Sequence, residues 1–225
     1  MSLTESPPTG REAVVQRITR LGALAVVRVQ REDDVLPVAR ALHAGGVSAI
    51  EVTMTVPGAL QAIERLVREG GDALLVGVGS VLDADTARRA VDAGAHFVVS
   101  PVFRAEIVDE AHRLGAAALP GAFTPTEILR AHEAGADLVK VFPSDALGPG
   151  FIKGVLAPMP FLRLVPTGGV TPANAGGWIR AGAAAVGLGG ALVDPALVAR
   201  GDWSTLTRLA METVDKVAEA RGGAA

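Results

Sequence analysis

The chain has 225 residues, 49% of them hydrophobic and 20% charged, with 27 Gly and 14 Pro, a globular composition whose length suits one α/β barrel or two smaller domains. A net charge of −3 without a run of Lys or Arg argues against nucleic acid and anionic membrane surfaces as partners, since both need a basic stripe. The absence of Cys removes disulfides, thiolate chemistry and Cys-ligated zinc, and the longest uncharged stretch, between Arg163 and Arg180, is broken by Pro166, Gly168, Gly169, Pro172, Gly176 and Gly177, so no membrane span is expected.

In chain order, residues 1–9 are polar and Pro-containing, without the apolar segment of a secretion signal, and read as the flexible lead-in of a soluble cytoplasmic protein. Residues 10–22 carry a helical pattern, followed by the first apolar run, ALAVVRV at 23–29. From there a unit recurs in which an amphipathic stretch ends in Ala-Gly and an apolar, β-branched run begins shortly after. Ala44-Gly45 precedes AIEVTM, Ala93-Gly94 precedes HFVVSP, Ala134-Gly135 precedes DLVKVFP, and Ala181-Gly182 precedes AAVGLGG. Gly tolerates the left-handed backbone just past a helix, so each copy marks helix end, turn and strand start. The copies lie about 40 to 50 residues apart, twice the length of a βα unit, and each gap holds a further run: ALLVGVG at 73–79, AAALPG at 116–121 and RLVPTGG at 163–169.

Eight runs alternating with helical patterns such as DDVLPVARALHA and PTEILRAHEA predict parallel strands joined by crossovers. Eight units in this length predict a (β/α)8 barrel, with 10–22 as a preceding helix, 203–220 as a closing helix, and residues 1–225 as one domain. A doubly wound open sheet is the alternative.

In a barrel, alternate strand residues point inward and the strand ends with their following loops form the active face, so charges within apolar strands demand explanation. Arg28 in AVVRV, Glu51 in AIEVT and Lys140 in DLVKVF are such charges. If Val139 and Val141 face the helices, Lys140 points into the barrel. Desolvation disfavours a charged amine, and a neutral amine attacks a carbonyl to form a Schiff base; a strand-end lysine snorkelling to solvent or paired with a carboxylate fits the pattern equally. Glu51 suits proton transfer beside such a lysine, or a salt bridge to it. Arg28 offers a planar fork for a substrate carboxylate, or for a structural ion pair. The glycines of TGGVTP (167–172) and GLGG (187–190) end the last two strands, where barrels recurrently bind phosphate on backbone N–H groups, although tight turns would use glycine too. Thr171-Pro172 reads as a helix N-cap with Pro at the next position. Ser80 and Thr124 are polar candidates for a carboxylate or for helix caps. His43, His96, His112 and His132 show no paired spacing or neighbouring carboxylate cluster, so no metal site is expected.

The segments EVTMT, GVGSVL, Ser100-Pro101, PGAFTPTE, VKVFPSD and TGGVTPAN together resemble the 2-keto-3-deoxy-6-phosphogluconate aldolase family of Schiff-base aldolases, over residues from about 20 to 195. The resemblance implies a homotrimeric (β/α)8 barrel without metal or cofactor. It also implies reversible cleavage of a phosphorylated 2-keto-3-deoxy sugar acid to pyruvate and glyceraldehyde 3-phosphate. It places the Schiff-base lysine on Lys140 and the proton-shuttling glutamate on Glu51, and makes Thr167, Pro101 and Phe142 substrate contacts. Many members carry an arginine where this chain has Thr55; a branch resembling the 6-phosphogalactonate aldolases carries it on the first strand, where Arg28 stands, and GPGFIK (148–153) is similar to that branch. Ser80 stands at a carboxylate-binding Thr and would hold the carboxylate with Arg28. Ala191 replaces a phosphate-binding Ser, which leaves the phosphate to the N–H groups of Gly168, Gly169, Gly189 and Gly190, while Thr167 matches the gluconate-type members. A 4-hydroxy-2-oxoglutarate aldolase, a phosphorylated-sugar isomerase and a non-catalytic sugar-phosphate sensor are the alternatives.

Overall fold

The structure, a computed structural model, describes residues 10–222; residues 1–9, read above as a lead-in, lie outside the described residues. The preceding helix is α1 (Gly10–Leu21). Strands follow as β1 (Ala23–Val27), β2 (Ala49–Thr53), β3 (Leu75–Gly79), β4 (Phe97–Val99), β5 (Ala117–Leu119), β6 (Gly121–Ala122), β7 (Val139–Val141), β8 (Leu164–Pro166) and β9 (Val186–Leu188). All strand pairings are parallel, in two arcs ordered β5-β4-β3-β2-β1-β9 and β6-β7-β8. The arcs join into a ring. Thr167, just past β8, bridges Gly187 in parallel. At the other seam, Ala118 O accepts from Asp137 N at 3.1 Å and Pro120 O accepts from Lys140 N at 2.9 Å.

This is the (β/α)8 barrel rather than the open sheet, with one departure from the expected strands. The fifth run is two short strands, because Pro120 brings no N–H to the ladder and divides β5, paired with β4, from β6, paired with β7. Helices α2 (Val35–Ala44), α3 (Ala59–Gly70), α4 (Ala84–Asp92), α5 (Ala105–Arg113), α6 (Pro125–Glu133), α7 (Pro149–Leu156) and α8 (Ala175–Arg180) occupy the crossovers, α9 (Pro195–Arg200) follows β9, and α10 (Trp203–Ala220) is the closing helix over the expected residues. Asp83, Thr124 and Asp202 cap α4, α6 and α10 by accepting from the backbone N–H three residues on, and Glu127 completes a capping box with Thr124. Capping is thus the role of Thr124.

Strand alternation divides the core into two layers. Outward residues such as Ala25, Val27, Ile50, Val52, Val139 and Val141 pack with the helices. Inward residues Leu24, Ala49, Leu75, Phe97, Leu119, Leu138, Val165 and Ala185 fill the barrel, and Val15 and Ile18 of α1 join them. Leu24, Ala49, Leu75, Phe97, Leu138 and Ala185 lie within the first two residues of their strands or just before them, so α1, packed with them, stoppers the N-terminal mouth and leaves the C-terminal one open. Phe97 is fully buried, and its ring occupies the space that a side chain on Gly77 would need.

His112 has a partner that nothing in the sequence signals. Its Nε2 lies 2.9 Å from Asp137 Oδ2, which accepts from Ala118 N at 2.9 Å, while Arg11 Nε stands 3.2 Å from Oδ1. A carboxylate partner 25 positions away in the chain left no local spacing to recognise. Phe97→Ala would empty the barrel centre and is expected to cost about 3–5 kcal/mol, seen as a lowered denaturant midpoint; an unchanged midpoint would contradict this packing.

Candidate active site

Lys140 and Glu51 meet inside the barrel. Glu51 is the third residue of β2, in register with Val26 and Gly77; Lys140 is the middle residue of β7, in register with Gly121 and Val165. Because Val139 and Val141 face the helices, Lys140 points inward, as the alternation predicts. Lys140 is 7% exposed and Glu51 1%. Lys140 Nζ stands 3.8 Å from Glu51 Oε1, an ion-pair contact too long for a hydrogen bond. Among the described residues, neither carboxyl oxygen of Glu51 has a hydrogen-bond partner.

Two neighbours shape the pair. A side chain at Gly79 would collide with the Glu51 carboxyl, so β3 is bare where Glu51 must lie. The Phe142 ring, with its centroid 5.2 Å from Lys140 Nζ, offers a π-face to the ammonium. Burial pushes the Glu51 carboxyl above its ordinary pKa; the positive charges of Lys140 and Arg28 pull the other way without cancelling it. A carboxyl that keeps its proton longer than a surface glutamate, and sits beside an amine, can both donate and accept a proton.

The remaining predicted residues surround this pair at the C-terminal strand ends. Arg28 is not within its strand: β1 ends at Val27, and Arg28 is exposed one residue beyond, without an ion pair among the described residues. Two of the three expected inward charges are therefore buried, and the third stands at the rim. Ser80 follows β3 with φ +60°, a left-handed backbone uncommon outside glycine, and is half-buried. Pro101 follows β4, and Phe142, 37% exposed, follows β7. Thr167 is buried at the end of β8. Gly168 and Gly169, at φ +97° and +69°, turn the chain tightly against Ser144 and Asp145, while Gly189 and Gly190 follow β9. Among the described residues, the N–H groups of Gly168, Gly169, Gly190 and Ala191 donate to no protein acceptor.

Arg28, Glu51, Ser80, Pro101, Lys140, Phe142, Thr167 and the four glycines all line one cleft of about 380 Å³. Thr171 also lines it but is engaged with Asn174: each side-chain oxygen accepts from the other's N–H, at 3.2 and 2.8 Å. The expected N-cap at Thr171 falls short of the helix: α8 begins at Ala175 with Asn174 at its N-cap, and Thr171 instead closes the turn before it, its carbonyl accepting from Asn174 N and Ala175 N. The sequence reading passed over Gly79. Its signal was the pair of glycines at 77 and 79 on one face of β3, a spacing that marks close approach from neighbouring strands.

Such a cleft can hold a small anionic carbonyl compound, since it brings together a guanidinium, free backbone N–H groups, and an amine beside a carboxyl. Comparison with known proteins is concordant. The family model described as "Aldolase: KDPG and KHG aldolase" matches residues 14–209. A 2-dehydro-3-deoxy-phosphogluconate aldolase of Treponema pallidum is 37% identical over 206 residues, 91% of this chain and 97% of that one. A 2-dehydro-3-deoxy-6-phosphogalactonate aldolase of Escherichia coli is 36% identical, covering 76% of this chain and 84% of its own. A Legionella pneumophila KDPG aldolase, solved with pyruvate captured at low pH as a covalent carbinolamine intermediate, superposes with a TM-score of 0.81 at 29% identity, over 89% of this chain and 96% of that one.

The raised pKa of Glu51 has a consequence for stability. The folded chain keeps this proton to higher pH than the unfolded chain, so stability falls as pH rises through the interval between the two pKa values. Glu51→Gln, which mimics the protonated form, is expected to match the wild type near about pH 4 and to exceed it toward about pH 8 in denaturant midpoint. A variant less stable at the higher pH would contradict the unfavourable burial of the ionised form.

Proposed function

Since the chain belongs to the KDPG and KHG aldolase family, we propose that Lys140 and Glu51 carry its chemistry: reversible cleavage of a 2-keto-3-deoxy-6-phospho sugar acid to pyruvate and glyceraldehyde 3-phosphate. It is a class I, Schiff-base aldolase, a carbon–carbon lyase. The observation that carries the residue assignment is the buried amine 3.8 Å from a buried carboxyl otherwise without partners.

Arg28 and Ser80 hold the substrate carboxylate, and the N–H groups of Gly168, Gly169, Gly189 and Gly190 hold the phosphate. Neutral Lys140 attacks C2. Glu51, whose burial makes it keep its proton to higher pH than a surface glutamate, gives that proton to the carbinolamine hydroxyl, which leaves as water and yields the iminium. The resulting carboxylate then takes the C4 hydroxyl proton. The C3–C4 electron pair moves into the iminium, the aldehyde leaves, and protonation of the enamine at C3 followed by hydrolysis releases pyruvate and restores Lys140. Glu51 thus acts first as acid and then as base, the alternation that a raised pKa suits. Pro101, Phe142 and Thr167 contact the substrate between its two anionic ends.

The galactonate epimer is favoured by Arg28 just past the first strand and the gluconate epimer by Thr167, and the uncommitted glycine N–H groups favour a phosphorylated substrate over 4-hydroxy-2-oxoglutarate. The proposal takes the protein to be a cytoplasmic homotrimer built of single-domain subunits, on the family resemblance; among the described residues, no helix is long and apolar enough to cross a membrane.

Lys140→Ala is expected to lose essentially all pyruvate release. Arg28→Ala is expected to raise KM for the keto acid about 10- to 100-fold, the size of a lost charge-assisted bond. Steady-state assay of both variants with both epimers tests this, and full cleavage by Lys140→Ala would overturn the assignment.

A further inference from the structure

The segment after β7 and the turn after β8 are joined by bonds that substrate binding does not itself need. Ser144 is fully buried four residues beyond Lys140. Its N–H donates to Thr167 O at 2.9 Å, and its hydroxyl donates to Gly168 O at 2.9 Å. On the other side of the turn, Asn174 Nδ2 donates to Gly169 O at 2.9 Å. The carbonyls of both glycines are therefore held by side chains, while their N–H groups have no acceptor among the described residues. A peptide unit joins the C=O of one residue rigidly to the N–H of the next, so the bonds from Ser144 to Thr167 O and Gly168 O restrict the N–H groups of Gly168 and Gly169, and the bond from Asn174 to Gly169 O restricts that of Val170, which also has no acceptor among the described residues.

We propose that Ser144 and Asn174 are positioning residues that orient the turn at Gly168 and Gly169, so that its backbone donors are preset for the substrate phosphate. The inference rests on the phosphate reading of these glycines given above. Ser144 has a second consequence. It belongs to the same rigid segment as Lys140, so one short stretch of chain fixes both the attacking amine and the anion cradle. The distance between them is set before substrate arrives, which favours a keto acid whose phosphate lies at a fixed number of bonds from C2. Close packing supports this: a side chain at Gly169 would press on Asp145, the next residue along that segment, at 2.5 Å from its Cβ. The turn rests on the segment with no gap to absorb a shift.

The test compares wild type, Ser144→Ala and Asn174→Ala on the phosphorylated keto acid, on the same acid without phosphate, and with inorganic phosphate as inhibitor. Asn174 lies at the exposed surface, so its variant keeps the test valid should the buried Ser144→Ala fail to fold. Ser144→Ala, which loses one neutral hydrogen bond, is expected to raise KM for the phosphorylated substrate and Ki for phosphate about fivefold, and Asn174→Ala, which also gives up the bond from Thr171 N, at least as much, with kcat/KM for the unphosphorylated acid unchanged in both. Wild-type KM and Ki in both variants would overturn the positioning role, and so would an equal loss on both substrates, which marks a general structural defect. A wild-type protein indifferent to phosphate and to substrate phosphorylation would overturn the phosphate reading itself, and this inference with it.

Discussion

The rest of the molecule is arranged around one costly placement: an amine and a carboxyl buried together at 3.8 Å, the carboxyl having no other partner among the described residues. Removing two ionisable groups from water is unfavourable unless their attraction and further hydrogen bonds make up the loss, and here the further bonds are missing at Glu51. The barrel tolerates this because its lower half is apolar and well filled, from the α1 residues Val15 and Ile18 up through Phe97 and Leu119. The site is a sacrifice of local stability held by a strong scaffold, the usual relation between a reactive centre and its fold.

The two halves of the cleft do different work. The guanidinium of Arg28 and the left-handed turn at Ser80 lie on the β1 to β3 side, where a small carboxylate would sit against the reacting carbons. The glycine turns after β8 and β9, the latter on the strand that pairs with β1, offer backbone donors without side chains, which brings a phosphate close to the chain. Lys140 and Glu51 lie buried in the same cleft. A substrate anchored at both ends has little freedom left at its centre, so binding at the ends serves the chemistry in the middle.

Much of this was legible before any coordinates. The Ala-Gly unit and the β-branched runs marked the strands because a parallel strand covered on both faces must be apolar throughout, and a lysine or glutamate inside such a run stands out. What escaped notice depended on contacts distant in sequence. Gly79 matters only because β2 places a carboxyl beside it, and His112 only because Asp137 arrives from the next unit. Arg28 was placed on its strand, while the ladder ends one residue earlier; that boundary depends on pairing with β2 and β9, not on the local run. The break at Pro120 follows from a missing N–H that the sequence states plainly, but its effect on the ring depends on β4 and β7 lying on either side.

The central claim is that Lys140 forms a covalent imine with a 2-keto acid. Incubation with pyruvate and borohydride, followed by mass spectrometry of the peptides, tests it most directly. The account predicts a single reduced pyruvate adduct, located on Lys140 and absent when borohydride is omitted. A folded protein that acquires no adduct, or acquires it on another lysine, would contradict it and leave the buried pair a structural one.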